Sequence, residues 1–264
     1  MMKLIIAIGL LAIAGCTNNP EKTEPMSMPG AYNMLSQTFN YGKKDTTYTT
    51  LKQLKIYTDT HMMYVQTNPA DSVSAFGIGT YTAKGDTVIE DIIYNASDTS
   101  ANPNPQSFTL IITKTDKGYK QVIPEIRGRD GRVAKLTEEY ETSGNDIKSA
   151  LDGAWKETKA YTIKGKDSTL NKNIQYKTYF HGYFIFGHTF LDSSNVEHTG
   201  MGYGTFEMPA SNKINEHVLA STYSQLRGKS FNIDIEMNGT DEFKQTITND
   251  DGTKSVELYR RLKK

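Results

Sequence analysis

The sequence predicts an all-β protein with two tandem antiparallel β-barrels that follow a signal peptide. Three observations lead to this prediction: a short apolar N-terminal segment, a repeated pattern of short strands and turns, and landmarks that recur 119 to 126 residues apart. The predicted divisions are a signal peptide at residues 1–15, a tether at 16–29, a first barrel at 30–142, a linker at 143–150 and a second barrel at 151–264.

Composition limits the class of protein. The 264 residues include 30 basic and 30 acidic side chains, so there is no basic excess to neutralise the phosphates of a nucleic acid. A hydrophobic content of 37% is enough to build a packed core and is not typical of a disordered chain. The single cysteine excludes an internal disulfide framework and a cysteine-based zinc cluster.

The first residues have the features of a secretory signal peptide. Lys3 supplies a positive charge, and residues 4–13 form a short apolar run that is followed by small residues. A permanent membrane-spanning helix needs roughly 20 apolar residues, so this run is too short to be one. We therefore predict that this segment directs export and is then removed.

The IAGC sequence that ends at Cys16 resembles the lipobox of bacterial lipoproteins. The resemblance implies that Cys16 becomes the N-terminus after cleavage and carries the lipid that anchors the protein to a membrane, since each buried methylene contributes about 0.8 kcal/mol. The alternative is an ordinary signal peptide with an incidental cysteine. The polar, proline-containing residues 17–29 are typical of a flexible tether. Thr17 follows the cysteine in place of an inner-membrane retention aspartate, which favours the outer membrane, with the protein on its periplasmic face or at the cell surface.

The remainder of the chain contains one domain pattern twice. Six landmarks keep their order in both copies, and a duplication explains this better than chance. They are GAY at Gly30 and GAW at Gly153, QLKIYTDTHMMYV at Gln53 and QYKTYFHGYFIFG at Gln175, FGIGTYT at Phe76 and MGYGTFE at Met201, Glu90 and Glu216, SFTLIIT at Ser107 and SFNIDIE at Ser230, and KLTEEYE at Lys135 and KSVELYR at Lys254.

Each copy has the pattern of a small antiparallel barrel. Apolar and polar residues alternate with period two in SFTLIIT and SFNIDIE, as half-buried strands require. Pairs such as Asp130-Gly131 and Asn238-Gly239 tolerate the positive φ of tight hairpins. We expect about six to ten strands in each copy. One helix is predicted around residues 145–151, between the copies.

Several of these motifs together resemble a lipocalin-like domain of unknown function that occurs in bacterial lipoproteins and secreted proteins. The first copy carries Gly30-x-Tyr32, the YTDTH hairpin that ends at His61, the GIGTY strand that ends at Tyr81, and Glu90. The second copy keeps Gly153-x-Trp155, Tyr179, the GYGTF strand that ends at Phe206, and Glu216, but has FHGY around His181 in place of the hairpin. The resemblance implies a calycin-type barrel whose interior holds a small apolar ligand, and it implies no activity.

Glu90 and Glu216 are candidate ligand-binding residues, because the duplicated strand keeps a carboxylate among apolar neighbours. If the side chain points into the barrel, it needs a polar partner and could bind the head of a ligand. The alternative is that it faces solvent, since a strand of period two permits either face. His61 is a further candidate at the barrel mouth, with a turn capped by Asp59 as the alternative interpretation.

The other candidate ligand-binding residues are Tyr81, Tyr179, His181 and Phe206. The second copy is rich in aromatic residues that could line a pocket or form an ordinary core, namely Tyr176, Tyr179, Phe180, Tyr183, Phe184, Phe186 and Phe190. Tyr32 and Trp155 at the first strands are expected to close one end of each barrel by packing.

Catalytic and metal-binding signals are weak. A zinc site built from His181, His188, His198 and Glu216 is the less favoured interpretation, since HxH and HExxH spacings do not occur. A phosphate-binding glycine loop leads into a helix, and the Gly-x-Gly motifs of this sequence do not. The Gly-x-Ser-x-Gly motif of a serine nucleophile does not occur either. We therefore expect neither a catalytic residue nor a metal or other cofactor, and we do not expect an enzyme.

The predicted function is that of a membrane-anchored lipoprotein that binds a small apolar or amphipathic ligand in one or both barrels. The partners expected are the membrane, through lipid on Cys16, and this small ligand; nucleic acid is not expected, and no protein partner is indicated. One alternative is a non-catalytic interaction or structural module of the cell envelope with solidly packed barrels. A weaker alternative is a lyase or isomerase that uses a buried Glu90 or Glu216.

Overall fold

The computed structural model describes residues 27–42, 44–67, 74–97, 100–102, 106–127, 131–144 and 147–264. These residues form two closed antiparallel β-barrels in tandem, each with eight strands in its ring, which confirms the predicted fold class. The predicted signal peptide, Cys16 and residues 17–26 of the predicted tether lie outside the described residues. None of the helices in the described ranges combines the length and the apolar character needed to span a membrane.

In the first barrel, eight strands close the ring in the order β1, β3, β4, β5, β6, β8, β9 and β10, and β10 pairs back onto β1. Two short strands, β2 and β7, pair with β1 and β6 beside this ring. The strands are β1 (Gly30–Asn40), β2 (Asp45–Tyr48), β3 (Lys52–Tyr57), β4 (His61–Thr67), β5 (Ala75–Lys84), β6 (Thr87–Ser97), β7 (Ser100–Asn102), β8 (Gln106–Lys114), β9 (Gly118–Arg127) and β10 (Val133–Ser143).

The second barrel repeats this order. The ring runs from β11 through β13 to β19, which pairs back onto β11, while β12 pairs with β11 beside it. A short 3₁₀ helix at Ser224–Leu226 follows β16. The strands are β11 (Gly153–Lys164), β12 (Asp167–Asn171), β13 (Asn173–Phe180), β14 (Tyr183–Leu191), β15 (Glu197–Ala210), β16 (Lys213–Ser221), β17 (Ser230–Asn238), β18 (Glu242–Thr248) and β19 (Lys254–Arg261).

The helix predicted around residues 145–151 is wrong for the described part of that segment. Residues 147–149 are irregular, and the chain turns where the Asp152 amide donates to the Ser149 carbonyl at 3.2 Å. Leu151 is fully buried beneath the second barrel, and its carbonyl accepts a 2.7 Å hydrogen bond from the Trp155 indole. Anchoring of this carbonyl to the barrel leaves too few residues between the barrels for a helix.

Alternation along the strands sets which residues enter each barrel. In β6, Val88, Glu90 and Ile92 are buried in phase, while Ile89 is exposed on the opposite face. In β3, both faces are buried: Gln53, Lys55 and Tyr57 point inward, and the apolar residues between them point outward. Polar side chains inside and apolar ones outside invert the usual pattern, because the outer face of β3 is covered by the second barrel.

The two barrels pack together through a buried apolar cluster, here called the inter-barrel core. The Phe76 ring of the first barrel lies directly on Gly187 of the second, where a Cβ atom would approach the ring to 2.5 Å. The Tyr94 and Thr189 hydroxyls join the barrels by a 2.6 Å hydrogen bond. The buried members are Ala31, Leu54, Ile56, Met63, Val65, Phe76, Ile78, Tyr94, Ala96, Ala154, Tyr176, Phe180, Ile185, Met201 and Tyr203.

The duplicated Gly-x-Gly-Thr motif has a structural cause. The β5–β6 register shifts at Gly79 and the β15–β16 register shifts at Gly204, so both glycines lie at an equivalent bulge. A Cβ atom at Gly79 would overlap the Asp91 carbonyl oxygen, and one at Gly204 would overlap that of His217. Only glycine allows the strands to approach this closely where the barrel wall curls.

Aromatic residues close one end of each barrel, at the β3–β4 and β13–β14 hairpins. The Tyr32 hydroxyl donates to the Met28 carbonyl at 3.0 Å, and the Trp155 indole makes the equivalent bond in the second barrel. Arg261 covers the Trp155 ring, with its guanidinium carbon 4.0 Å from the ring centroid. The hairpin ends are therefore closed, and any entrance must lie at the opposite end.

Candidate functional site

A buried ion pair occupies the centre of the first barrel. Lys55 on β3 and Glu90 on β6 meet with Nζ 2.9 Å from Oε1, and each side chain is no more than 6% exposed. The Tyr57 hydroxyl donates to the same carboxylate oxygen. Burial and the Glu90 charge raise the pKa of Tyr57 well above its usual value, so the phenol stays protonated and stabilises the carboxylate.

The ion pair continues into a network of buried polar side chains. Lys55 also donates to Gln121 Oε1 at 3.3 Å, and the Gln121 amide donates to Glu138 Oε2 at 2.5 Å. Glu138 accepts two further bonds, from Gln37 at 2.6 Å and from the Tyr140 hydroxyl at 2.9 Å. Three neutral donors thus hold a carboxylate that has no cation within ion-pair distance among the described residues.

The second barrel repeats the ion pair, its tyrosine and the link to a second glutamate. Lys177 and Glu216 lie 2.7 Å apart between Nζ and Oε1, and the Tyr179 hydroxyl donates to Glu216 at 2.6 Å. Lys177 donates to Gln245 at 3.3 Å, and Gln245 donates to Glu257 Oε2 at 2.7 Å. Retention of a costly buried ion pair in both copies is the feature of the structure that most needs a functional explanation.

A cavity opens onto this network in each barrel, on the side away from the closed end. The cavity of the first barrel measures about 230 Å³ and that of the second about 260 Å³. The charged residues Lys55, Glu90 and Glu138 form the floor of the first, and Lys177, Glu216 and Glu257 that of the second. The apolar walls comprise Phe39, Tyr64, Ala75, Ile92, Phe108, Ile123, Ile126 and Leu136 in the first barrel, and Phe184, Phe186, Val218, Leu226, Phe231, Ile233 and Ile247 in the second.

His188 narrows the cavity of the second barrel together with the 3₁₀ segment. Its Nδ1 lies 2.8 Å from Gln175 Oε1 and its Nε2 lies 2.7 Å from the Tyr223 hydroxyl. Burial lowers the pKa of His188 to about 4, so the imidazole is neutral at pH 7. A neutral ring can donate from Nδ1 to the amide and accept at Nε2 from the phenol, which satisfies all three groups.

A further carboxylate of the second barrel, Glu157 on β11, lies near Glu257. Its Oε2 accepts a 3.1 Å bond from the Asn173 amide, and its side chain is almost entirely buried. Burial, reinforced by the charge of Glu257, raises the pKa of Glu157 from its ordinary 4.5 to about 7. The folded state therefore favours the protonated carboxyl, and the free energy of unfolding falls as pH rises from 4.5 to about 7.

We expect Glu157→Gln to stabilise the protein at high pH and not at low pH. The wild type loses stability as pH rises from the unfolded-state pKa of 4.5 to the folded-state pKa of about 7, and the amide does not. With allowance for screening by water, the variant should gain on the order of 2 kcal/mol relative to wild type between pH 5 and pH 8. Urea unfolding at both pH values measures this gain, with the exposed Glu207→Gln as control. A difference between Glu157→Gln and wild type that does not change with pH would contradict the assignment.

The structure brings only some of the sequence-predicted site residues to the cavities. Glu90 and Glu216 line them, pointing inward rather than into solvent. Tyr179 contacts Glu216 from beneath the floor, between the network and the closed end. Phe206 packs edge-on against Tyr179 in the core of the second barrel, with ring centroids 5.1 Å apart.

The remaining candidates lie at the closed ends. His61 is buried beside the β3–β4 turn, and the Tyr81 hydroxyl donates to the Thr58 carbonyl of that turn at 2.7 Å. The turn is capped by Thr58 Oγ1, which accepts from the His61 amide at 3.0 Å, and not by Asp59. His181 has a positive φ of 49° in the equivalent turn and stacks on Phe180. These residues close the barrels and do not line the described cavities.

The aromatic residues of the second copy divide among three environments because they alternate along β13 and β14. Tyr176 and Phe180 belong to the inter-barrel core, Tyr179 and Phe184 to the barrel interior, and Phe186 to the cavity wall. The described residues contain no group of three or more histidine, cysteine or acidic side chains that could hold a metal ion. His198 lies on the exposed surface, where it contacts Asp192 at 2.9 Å.

Sequence reasoning missed most of the polar network, although its signal was present. The duplicated Gln-x-Lys-x-Tyr pattern supplies Lys55 and Lys177, and the shared Glu and Tyr of the last strands supply Glu138, Glu257 and their tyrosines. From the sequence alone, these shared residues indicate the duplication and do not specify a role. Polar residues that recur at strand period two in both copies were the usable signal for a buried network.

The fold and the cavities define a tandem β-barrel protein with a polar-floored cavity in each barrel. No family model matches the chain, and no curated protein matches it. One similar solved structure is a protein of unknown function from the DUF3598 family of Nostoc punctiforme, with 10% identity, coverage of 89% of this chain and 96% of that chain, and a TM-score of 0.22. Another is a mutant of the vaccine antigen transferrin-binding protein B from Haemophilus parasuis, with 8% identity, coverage of 91% and 78%, and a TM-score of 0.25.

Proposed function

We propose that the protein is a lipid-anchored, lipocalin-like carrier or sensor of the cell envelope that binds a small amphipathic ligand in its barrels. The observation that carries this proposal is the pair of equivalent cavities, each with apolar walls and a floor built on a buried Lys–Glu pair. Apolar walls bind the body of a ligand, and the few convergent polar groups orient its head. The anchor part of the proposal depends on the lipobox at Cys16.

The cavities support binding over an interaction module with solidly packed barrels. A packed barrel fills its interior with side chains and needs no buried charge. Here Lys55 and Glu90 are removed from water at a cost that a buried apolar pair would avoid. A ligand that uses these groups explains why the cost is retained in both barrels.

The ion pairs also favour binding over acid–base catalysis. Glu90 contacts Lys55 Nζ and the Tyr57 hydroxyl, and Glu216 has the same two partners in the second barrel. In both glutamates Oε1 already accepts from the ammonium and the phenol, so this oxygen is engaged in the internal network. The arrangement suits recognition of a polar head.

Native mass spectrometry of residues 17–264, which retain every described residue, tests the proposal. We expect the protein purified from its native host to carry an adduct of a few hundred daltons that solvent extraction releases. Glu90→Gln and Glu216→Gln should each reduce its occupancy about tenfold, since a hydrogen bond to a charged group contributes about 1.5 kcal/mol or more. The exposed Glu207→Gln serves as control. An adduct-free wild type, or an adduct that all three variants retain equally, would contradict the proposed site.

A further inference from the structure

The floors of the two cavities differ at one hydrogen bond. In the first barrel, Gln37 lies opposite Glu138 on the paired strand and donates to its Oε1. In the second barrel, the residue opposite Glu257 is Ala160, which has no donor to offer. Gln175, Gln245 and Tyr259 all donate to Oε2 of Glu257. Within the described residues, Oε1 of Glu257 receives no hydrogen bond.

The missing glutamine leaves space as well as an oxygen that receives no hydrogen bond from the described residues. Ala160 and Glu257 line a cavity of about 390 Å³ at the mouth of the second barrel. Asn173, His188 and Phe190 line the same cavity. This space adjoins the interior cavity, because Gln175, His188 and Glu257 line both. A ligand whose polar head lies at Glu257 could therefore place its apolar body in either of these two cavities.

A second acceptor at this place also lacks a donor. Asn173 Oδ1 is buried and has no hydrogen-bond partner, while its amide nitrogen donates to Glu157 at 3.1 Å. With the amide in this orientation, Oδ1 is the atom that lacks a partner among the described residues. The equivalent position in the first barrel is Leu51, which is buried in the apolar core. Buried acceptors without donors are rare in folded proteins and indicate an absent partner.

The charges at the site favour a cation as this partner. Glu157 occupies the position of the apolar Met34, since each lies opposite the tyrosine of the last strand. The second barrel therefore has a carboxylate that the first lacks. Lys172 also lines the cavity, but it is exposed and forms no ion pair with a described residue. Among the described residues, Glu257 Oε1 and Asn173 Oδ1 remain acceptors without a donor, and Glu157 adds negative charge beside them as it ionises around pH 7.

We propose that the second barrel binds the ammonium group of a small amine between Glu257 Oε1 and Asn173 Oδ1, in the space that Gln37 fills in the first barrel. An ammonium group provides three N–H donors, which matches two acceptors that lack a donor among the described residues. Phe190 lies at the cavity wall, where an aromatic face attracts a cation. This inference rests on the proposed function and assigns the polar head of the ligand for the second barrel.

The test compares three six-carbon probes on the complete chain: n-hexylammonium, 1-hexanol and hexanoate. Binding is followed by NMR of the labelled Ala160 methyl group and by calorimetry. We expect hexylammonium to bind at least tenfold more tightly than hexanol, with hexanoate weakest, and to shift the Ala160 signal. Ala160→Gln, which restores the internal donor, and Glu257→Gln should each lower hexylammonium affinity about ten- to hundredfold. Glu207→Gln removes the same charge from the outer surface and should change it less than twofold.

The possible results separate this inference from the proposed function. Equal binding of hexylammonium and hexanol, unaffected by Glu257→Gln, would overturn the amine assignment and leave the cavity as a binding site. Failure of every probe to bind, when an adduct is extracted from the native protein, would also overturn the amine assignment alone. Failure of every probe together with an adduct-free native protein would overturn both.

Discussion

Replacement of Lys55 by methionine is expected to lower the free energy of unfolding by about 3–5 kcal/mol. Lys55 is 3% exposed and is the cation that faces both Glu90 and Gln121. Methionine fills similar volume but leaves the Glu90 carboxylate buried without a cation, next to the network that already holds Glu138. The cost of an uncompensated buried charge exceeds the loss of packing. Urea unfolding at pH 7 measures the effect.

Two controls separate the buried charge from a general loss of structure. Lys55→Met combined with Glu90→Met removes both charges, and we expect it to recover most of the lost stability, because an apolar pair replaces the ion pair. Lys213→Met breaks an exposed pair of similar geometry, with Nζ 2.7 Å from Asp234 Oδ1, and should cost less than about 1 kcal/mol. A double variant as unstable as the sum of its single variants would contradict this explanation.

Phe76→Ala is expected to cost about 3–5 kcal/mol through a cavity in the inter-barrel core. The Phe76 ring is fully buried between Gly187 and Tyr94, and its centroid lies 5.8 Å from that of the Tyr94 ring. Truncation removes its contacts with both barrels at once. Because the two barrels share this core, the loss should appear in the stability of the whole chain, measured by urea unfolding.

A second substitution at Gly187 tests whether the ring is the cause. Gly187→Ala alone should destabilise, since its Cβ would lie 2.5 Å from the Phe76 ring. In the Phe76→Ala background the same methyl group enters the vacated space, and we expect the additional cost to disappear. If the two substitutions have additive effects on the free energy of unfolding, Phe76 and Gly187 do not pack together in solution. The inter-barrel core would then not form as described.

The barrel architecture could be predicted because the sequence contains it twice. Strands β8 and β17 alternate in both copies, and Gly79 and Gly204 mark the same bulge. The direction of Glu90 could not be predicted, because a strand of period two does not say which face is covered. Both faces of β3 are buried, and only the contact with the second barrel explains the apolar outer face.

Only part of the candidate site could be predicted, because the sequence does not show which end of each barrel is closed. Glu90 and Glu216 were identified because a carboxylate among apolar residues is unusual, and they do line the cavities. His61 was expected at a barrel mouth and His181 in a ligand-binding site, but both lie at hairpins of the closed ends. Which end of a barrel is plugged depends on how Tyr32 and Trp155 pack across strands distant in sequence. Spacing along the chain does not contain this information.

The claim that a ligand binds inside the barrels is tested most directly by its contacts with the interior methyl groups. Ile92 and Ile123 line the cavity of the first barrel, and Val218 and Ile247 line that of the second. With these methyl groups isotope-labelled, we expect nuclear Overhauser effects to the chain of the extracted ligand, or of a hexyl probe, in at least one barrel. Contacts only to the exposed Leu170 and Leu219, with none to the interior methyl groups, would show that the ligand stays outside and would contradict the account.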